Sequence, residues 1–78
     1  MIEKGFTLEL QKGVYQHYKG KYYEVLHLAR HSESEEWMVV YKTLYDKEGI
    51  WVRPYEMFVE DVSVKGKTVK RFTFVGKG

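Results

Sequence analysis

Apolar and polar residues alternate along most of this chain, in short runs rich in β-branched and aromatic residues. A period of two sends successive side chains to opposite faces of a strand, so each run predicts a strand with one face free to enter a core. Phe6, Leu8 and Leu10 alternate with Thr7 and Glu9, which predicts a short N-terminal strand. That strand could add to the domain's own sheet or to a second copy's. Val14 to Tyr18 follows, ended by Lys19-Gly20, and then Tyr22 to His31; the two read as a hairpin split by a Gly-containing turn. Tyr22–His31 is apolar on both alternating sets, so it is expected to bend, and a bulge within it would exchange its inside and outside residues.

His31 to Glu36 is polar and acidic, hence a loop, and Trp37 to Lys42 is the clearest central strand, continued by Thr43-Leu44-Tyr45. Asp46 to Gly49 turns the chain into Ile50-Trp51-Val52-Arg53, which Pro54 stops because it has no amide hydrogen for a ladder. Tyr55 to Phe58 suits one helical or 3₁₀ turn. Val59 to Val64 precedes a two-residue turn at Lys65-Gly66, and Lys67 to Val75 returns as one last strand. Phe72 and Phe74 fall on one face of it, with Val69, Arg71 and Thr73 on the other. Residues 76–78 are expected to fray.

Five to six short strands joined by tight turns predict an all-β fold, a small and strongly bent antiparallel barrel. An SH3-like barrel with a short 3₁₀ turn after Pro54 is the first choice, and an OB-like barrel or open roll the second. The domain is expected over 13–75, preceded by the extra segment 1–12.

Composition sharpens this only in places. A chain of 78 residues is a single small domain, and 17% aromatic content supplies the large side chains that a small core needs. The absence of cysteine excludes disulfides and thiolate metal sites. Net charge is +2, too balanced to demand a nucleic-acid partner. Lys65, Lys67, Lys70, Arg71 and Lys77 form a local excess, read first as charged hairpin edges that resist aggregation and second as a phosphate-binding patch. No apolar run approaches about 20 residues, and the start lacks a basic region followed by an apolar one. A soluble, cytoplasmic protein without membrane contact is the expectation.

Several segments together carry a family resemblance: Gly13-Val14-Tyr15, His17-Tyr18-Lys19-Gly20, Tyr23-Glu24-Val25, Ala29 to Glu33, Val39-Val40-Tyr41, Leu44-Tyr45, Trp51 to Pro54 and Met57-Phe58. The string resembles a family of small bacterial proteins, domain-of-unknown-function family 1653, over about residues 13–72. The resemblance implies a bacterial, stand-alone or fused all-β domain and brings no catalytic residue with it. His27 and Asp46 stand where that family often has glycine.

Candidate chemistry falls into three classes. The first is binding. In strand phase Trp51 and Arg53 share one face, and with Tyr15, Tyr41 and Tyr45 they could form an aromatic cleft with a cation at its edge. Arg53 would grip a carboxylate or phosphate, with His17 or His31 donating a hydrogen bond. The expected ligand is anionic or aromatic: a nucleotide, single-stranded RNA, or an acidic peptide. Against this, Trp51 reads equally as core, and Arg53 equally as a structural partner of Glu56 or Glu33. The second class is a hydrolase-like or metal-dependent enzyme using His17, His31 and Glu33, with Ser32 as a hydroxyl. An ordinary His-Ser-Glu turn capped by its own side chains explains the same letters. His27 and His31 alone do not supply the ligand set that zinc wants, so neither a metal nor another cofactor is expected. The third is a structural module that self-associates into a homo-oligomer through the Phe6, Leu8, Leu10 strand or an open edge.

Overall fold

A computed structural model describes residues 9–45 and 49–77. Its elements are β1 (Gly13–His17), β2 (Tyr22–Arg30), β3 (Trp37–Thr43), β4 (Ile50–Pro54), the one-turn helix α1 (Tyr55–Phe58), β5 (Asp61–Val64), β6 (Lys67–Lys70) and β7 (Phe72–Gly76). Every pairing is antiparallel, with a five-stranded sheet in the order β4-β3-β2-β1-β7 and a separate β5-β6 ribbon. The all-β expectation therefore holds, but the sheet does not close into a barrel. Among the described residues β4 and β7 are its two edges, with no ladder between them.

The expected final strand 67–75 is two strands in two sheets. The break is at Arg71, whose amide donates to the Glu60 carbonyl while its own carbonyl accepts from the Tyr18 amide. With its backbone groups drawn to residues outside β6, Arg71 carries the chain from the ribbon to the sheet. At the far end β7 runs on to Gly76, opposite Val14, where fraying was expected. The turn after Pro54 is a single α-helical turn, its last amide donating from Val59 to the Tyr55 carbonyl at 3.1 Å. Of the expected N-terminal strand, Phe6 and Leu8 lie outside the described residues; Leu10 packs against the core.

The bend in β2 is a bulge between Val25 and His27. Tyr23 and Val25 face inward opposite Thr43 and Tyr41, whereas beyond the bulge Leu28 is the inward residue, opposite Val39. One extra residue shifts the phase, which is how a strand apolar on both sets can serve one core.

The buried core is Tyr15, Val25, Val39, Tyr41, Phe58 and Phe72, with Tyr23, Leu28, Tyr55 and Phe74 packed around it. α1 contributes Phe58, whose ring stacks on Phe72 at 4.1 Å with an interplanar angle of 2°. Burying such a ring is worth about 3 kcal/mol, so a four-residue helix is held by its anchor rather than by its own hydrogen bonds.

Candidate functional site

The ladder between β3 and β4 decides where the candidate residues point. Trp51 lies opposite Tyr41 and Arg53 opposite Val39, so both project to the inner face that carries the core. Ile50 and Val52 take the outer face and are exposed. Because β4 is an edge strand, its inner face is the rim of the core rather than its centre. Trp51 is accordingly 57% exposed, its indole lying against Gly49, where an added Cβ would come within 3.0 Å of Nε1. Of its two sequence readings, core is the one the structure removes.

Arg53 is partly buried. Its guanidinium carbon lies 5.5 Å from the centre of the Phe72 ring, and its Nε is shielded from solvent with no hydrogen-bond partner. Among the described residues it forms no ion pair, so neither Glu56 nor Glu33 satisfies it. A buried donor without a partner carries an unrecovered desolvation cost of about 1–3 kcal/mol.

Phe72 is the hub around which the other groups gather. His17 meets it edge-on at 4.9 Å and Tyr23 at 5.3 Å. The His17 Nδ1 accepts the Lys19 amide at 3.1 Å, so the neutral ring carries its proton on Nε2. Burial, and then the charges of Arg71, Arg53 and Lys19, hold the His17 pKa below its usual value. The Tyr23 and Tyr45 hydroxyls share a hydrogen bond of 3.1 Å. Burial, and then that bond, push the Tyr23 pKa up to about 12. Lys21 Nζ sits 4.5 Å above the Tyr45 ring. This face thus combines two cations, an imidazole donor and apolar rings.

Of the residues singled out from the sequence, Arg53 and His17 meet at Phe72 and Tyr45 joins them through Tyr23, while Trp51 shares the strand face of Arg53. The structure separates three others. Tyr15 and Tyr41 are core residues, 5% and 6% exposed. Tyr15 ends in a hydrogen bond to the Gln11 carbonyl. His31 follows the far end of β2, roughly 25–30 Å of strand away from His17. There its Nδ1 accepts the amides of Glu33 and Ser34, so His31-Ser32-Glu33 is a turn held by its own side chain. An enzyme site joining His17, His31 and Glu33 in one pocket does not form. His27 is exposed, and no group of three metal-ligating side chains occurs among the described residues.

Sequence reasoning missed Tyr23, Phe72 and Lys21. The pairing Tyr15↔Tyr23 follows from a tight first hairpin and would have placed Tyr23 inside. Phe72 depends on β7 pairing with β1, where it stands opposite His17, far away in the chain, and no local pattern announces it.

Cavities open on the surface among the described residues. One of about 770 Å³ is lined by Leu10, Gln11, His27, Leu28 and Trp37. One of about 330 Å³ lies over Tyr15, Phe58, Phe72 and Phe74, and another of about 330 Å³ lies between Gln16, His17, Tyr18 and the hairpin residues Val64 and Val69. Trp51 and Arg53 line none of these; their face is an open shelf.

No curated protein matches the chain. The chain is similar to a protein of the DUF1653 family from Bordetella bronchiseptica, known from a crystal structure. That protein is 38% identical, with 90% of this chain and 92% of that chain covered and a TM-score of 0.82. The family model described as "Protein of unknown function (DUF1653)" matches residues 13–74, a span from the start of β1 into β7 that includes the Phe72 hub and the Trp51–Arg53 rim. The chain belongs to that family.

Proposed function

We propose that the protein is a small binding module whose inner rim takes a planar, anionic small molecule, of which a nucleotide is the type. The observation that carries this reading is Arg53, a partly buried guanidinium that among the described residues has no carboxylate partner and whose shielded Nε has no hydrogen-bond partner. The phosphate or carboxylate of the ligand pairs with Arg53 and takes a hydrogen bond from His17 Nε2, while a planar ring stacks on Trp51. Tyr45, hydrogen-bonded to Tyr23, and Lys21 above its ring flank the site. The test is titration with adenosine monophosphate and with inorganic phosphate, followed by calorimetry and by NMR of the Trp51 indole and His17 ring. Both probes binding, the nucleotide at least about 10-fold tighter, supports the reading; no response at millimolar concentration overturns it.

A second reading rests on Ile50 and Val52, which stand exposed together on the outer face of an edge strand. Such an edge favours self-association by strand pairing. Sedimentation of the protein and of Val52→Glu tests it: a dimer lost in the variant supports it, and a monomer throughout sets it aside.

A further inference from the structure

The β1–β2 turn and the base of the β5–β6 hairpin meet at one end of the molecule. The Tyr18 amide donates to the Arg71 carbonyl at 2.9 Å, and His17 pairs with Phe72. Five lysines are carried by these two segments: Lys19 and Lys21 on the turn, Lys65, Lys67 and Lys70 on the hairpin. None of the five forms an ion pair among the described residues. The nearby carboxylate of Glu60 is held by Arg71, whose Nε donates to it at 2.8 Å, and Asp61 stands across the ladder from Lys70.

Aromatic rings are interleaved with these charges. Tyr18 is 38% and Tyr22 44% exposed, on either side of Lys19-Gly20-Lys21. Between the turn and the hairpin lies a groove of about 330 Å³, lined by Gln16, Tyr18, Val64, Val69, Lys70 and Thr73. Val64 pairs with Lys67 and Val62 with Val69, so Lys67 shares the hairpin face that borders this groove. At the other end of β2 the loop carries Glu33, Glu35 and Glu36. A net charge of +2 thus conceals a cationic, aromatic end and an anionic one.

We infer that the cationic end binds a single strand of nucleic acid, its phosphates on the lysines and its bases on Tyr18 and Tyr22. Tyrosine faces are of use to unpaired bases, which can stack on them, and not to bases already stacked in a duplex. This inference does not rest on the Arg53 reading: Lys21 is shared with that shelf and His17 lines the groove as well, but the phosphate and base contacts are assigned to the five lysines, Tyr18 and Tyr22.

The experiment is fluorescence anisotropy with labelled dodecauridine, titrated at about 50 to 200 mM salt. Expected is binding that weakens with salt at a logarithmic slope of about −2 to −3, as for three or four neutralised phosphates on a single strand. The Lys65→Ala/Lys67→Ala variant should make that slope shallower by about 1.4. Tyr22→Ala should weaken binding about 10-fold without changing the slope, its fold checked by circular dichroism. Arg53→Lys should leave dodecauridine affinity within about two-fold, so that failure at one surface is not mistaken for failure at the other. The inference is overturned by no binding at the lowest salt, by equal affinity for an RNA duplex of the same length, by unchanged affinity in Tyr22→Ala, or by tighter binding to phosphatidylserine vesicles.

Discussion

Arg53 and Phe72 sit on the two edge strands of one sheet, yet the guanidinium carbon lies 5.5 Å from the centre of the ring. The sheet curls until its edges face each other, and side chains rather than a hydrogen-bonded ladder span the gap. Phe58, stacked on Phe72, fills the interior of the same seam. An arginine placed here helps close the fold, and in the proposed function it also pairs with the ligand. Arg53→Lys keeps the charge but loses the planar fork. The expected outcome is a stability change within about 1 kcal/mol, with loss of at least about 10-fold in nucleotide affinity, read by thermal unfolding and calorimetry on the same preparation.

Trp51 and Phe58 separate rim from core. Phe58 is buried and stacked, so Phe58→Ala should cost about 3–5 kcal/mol. Trp51 is more than half exposed, and Trp51→Ala should cost less than about 1.5 kcal/mol. Urea unfolding of both variants checks the pair; a Trp51 loss as large as that of Phe58 would contradict its place on the rim.

Gly13 packs β1 against β7 where no side chain fits. Its φ is +138°, and a Cβ there would lie 2.6 Å from the Gly76 carbonyl oxygen. Gly13→Ala combines that clash with a disfavoured backbone, for an expected loss of about 2 kcal/mol or more. By contrast Lys65 and Gly66 both have positive φ at the hairpin turn, as a type I′ turn requires. Lys65→Asn should therefore stabilise the protein by about 0.5 kcal/mol, read as a raised urea midpoint.

The pH profile has a sign at each end. Tyr23 is raised from 10.0 to about 12 in the folded protein, so its contribution is complete below pH 10 and is lost as pH climbs towards 12. His17 is lowered from 6.5, so the unfolded chain takes up the proton first; its contribution is present above pH 6.5 and is lost as pH falls through the lowered folded value. Unfolding curves from pH 5 to 11.5 should show both losses, with Tyr23→Phe flattening the alkaline one and His17→Gln the acid one. An anion bound beside His17 favours its protonated form, so nucleotide affinity should rise as pH drops from 7 to 5.5 and should stop doing so in His17→Gln.

Local chemistry was legible along the chain. Period-two patterning located strands at each observed position from 13 to 64, Pro54 ended β4, and Lys65-Gly66 made its turn, because those effects act within a few residues. It also placed Trp51 and Arg53 on one face, which phase alone dictates. Only the tertiary structure decided which face that is, since the answer depends on Tyr41 and Val39 across the ladder. The same holds for Arg71, which interrupts an otherwise continuous strand pattern because Glu60 and Tyr18 claim its backbone from other parts of the chain. Tyr15 and Tyr41 have the same residue type as Tyr18 and Tyr22, yet one pair is core and the other surface. Burial is set by the curl of the whole sheet, and no side chain carries that information alone.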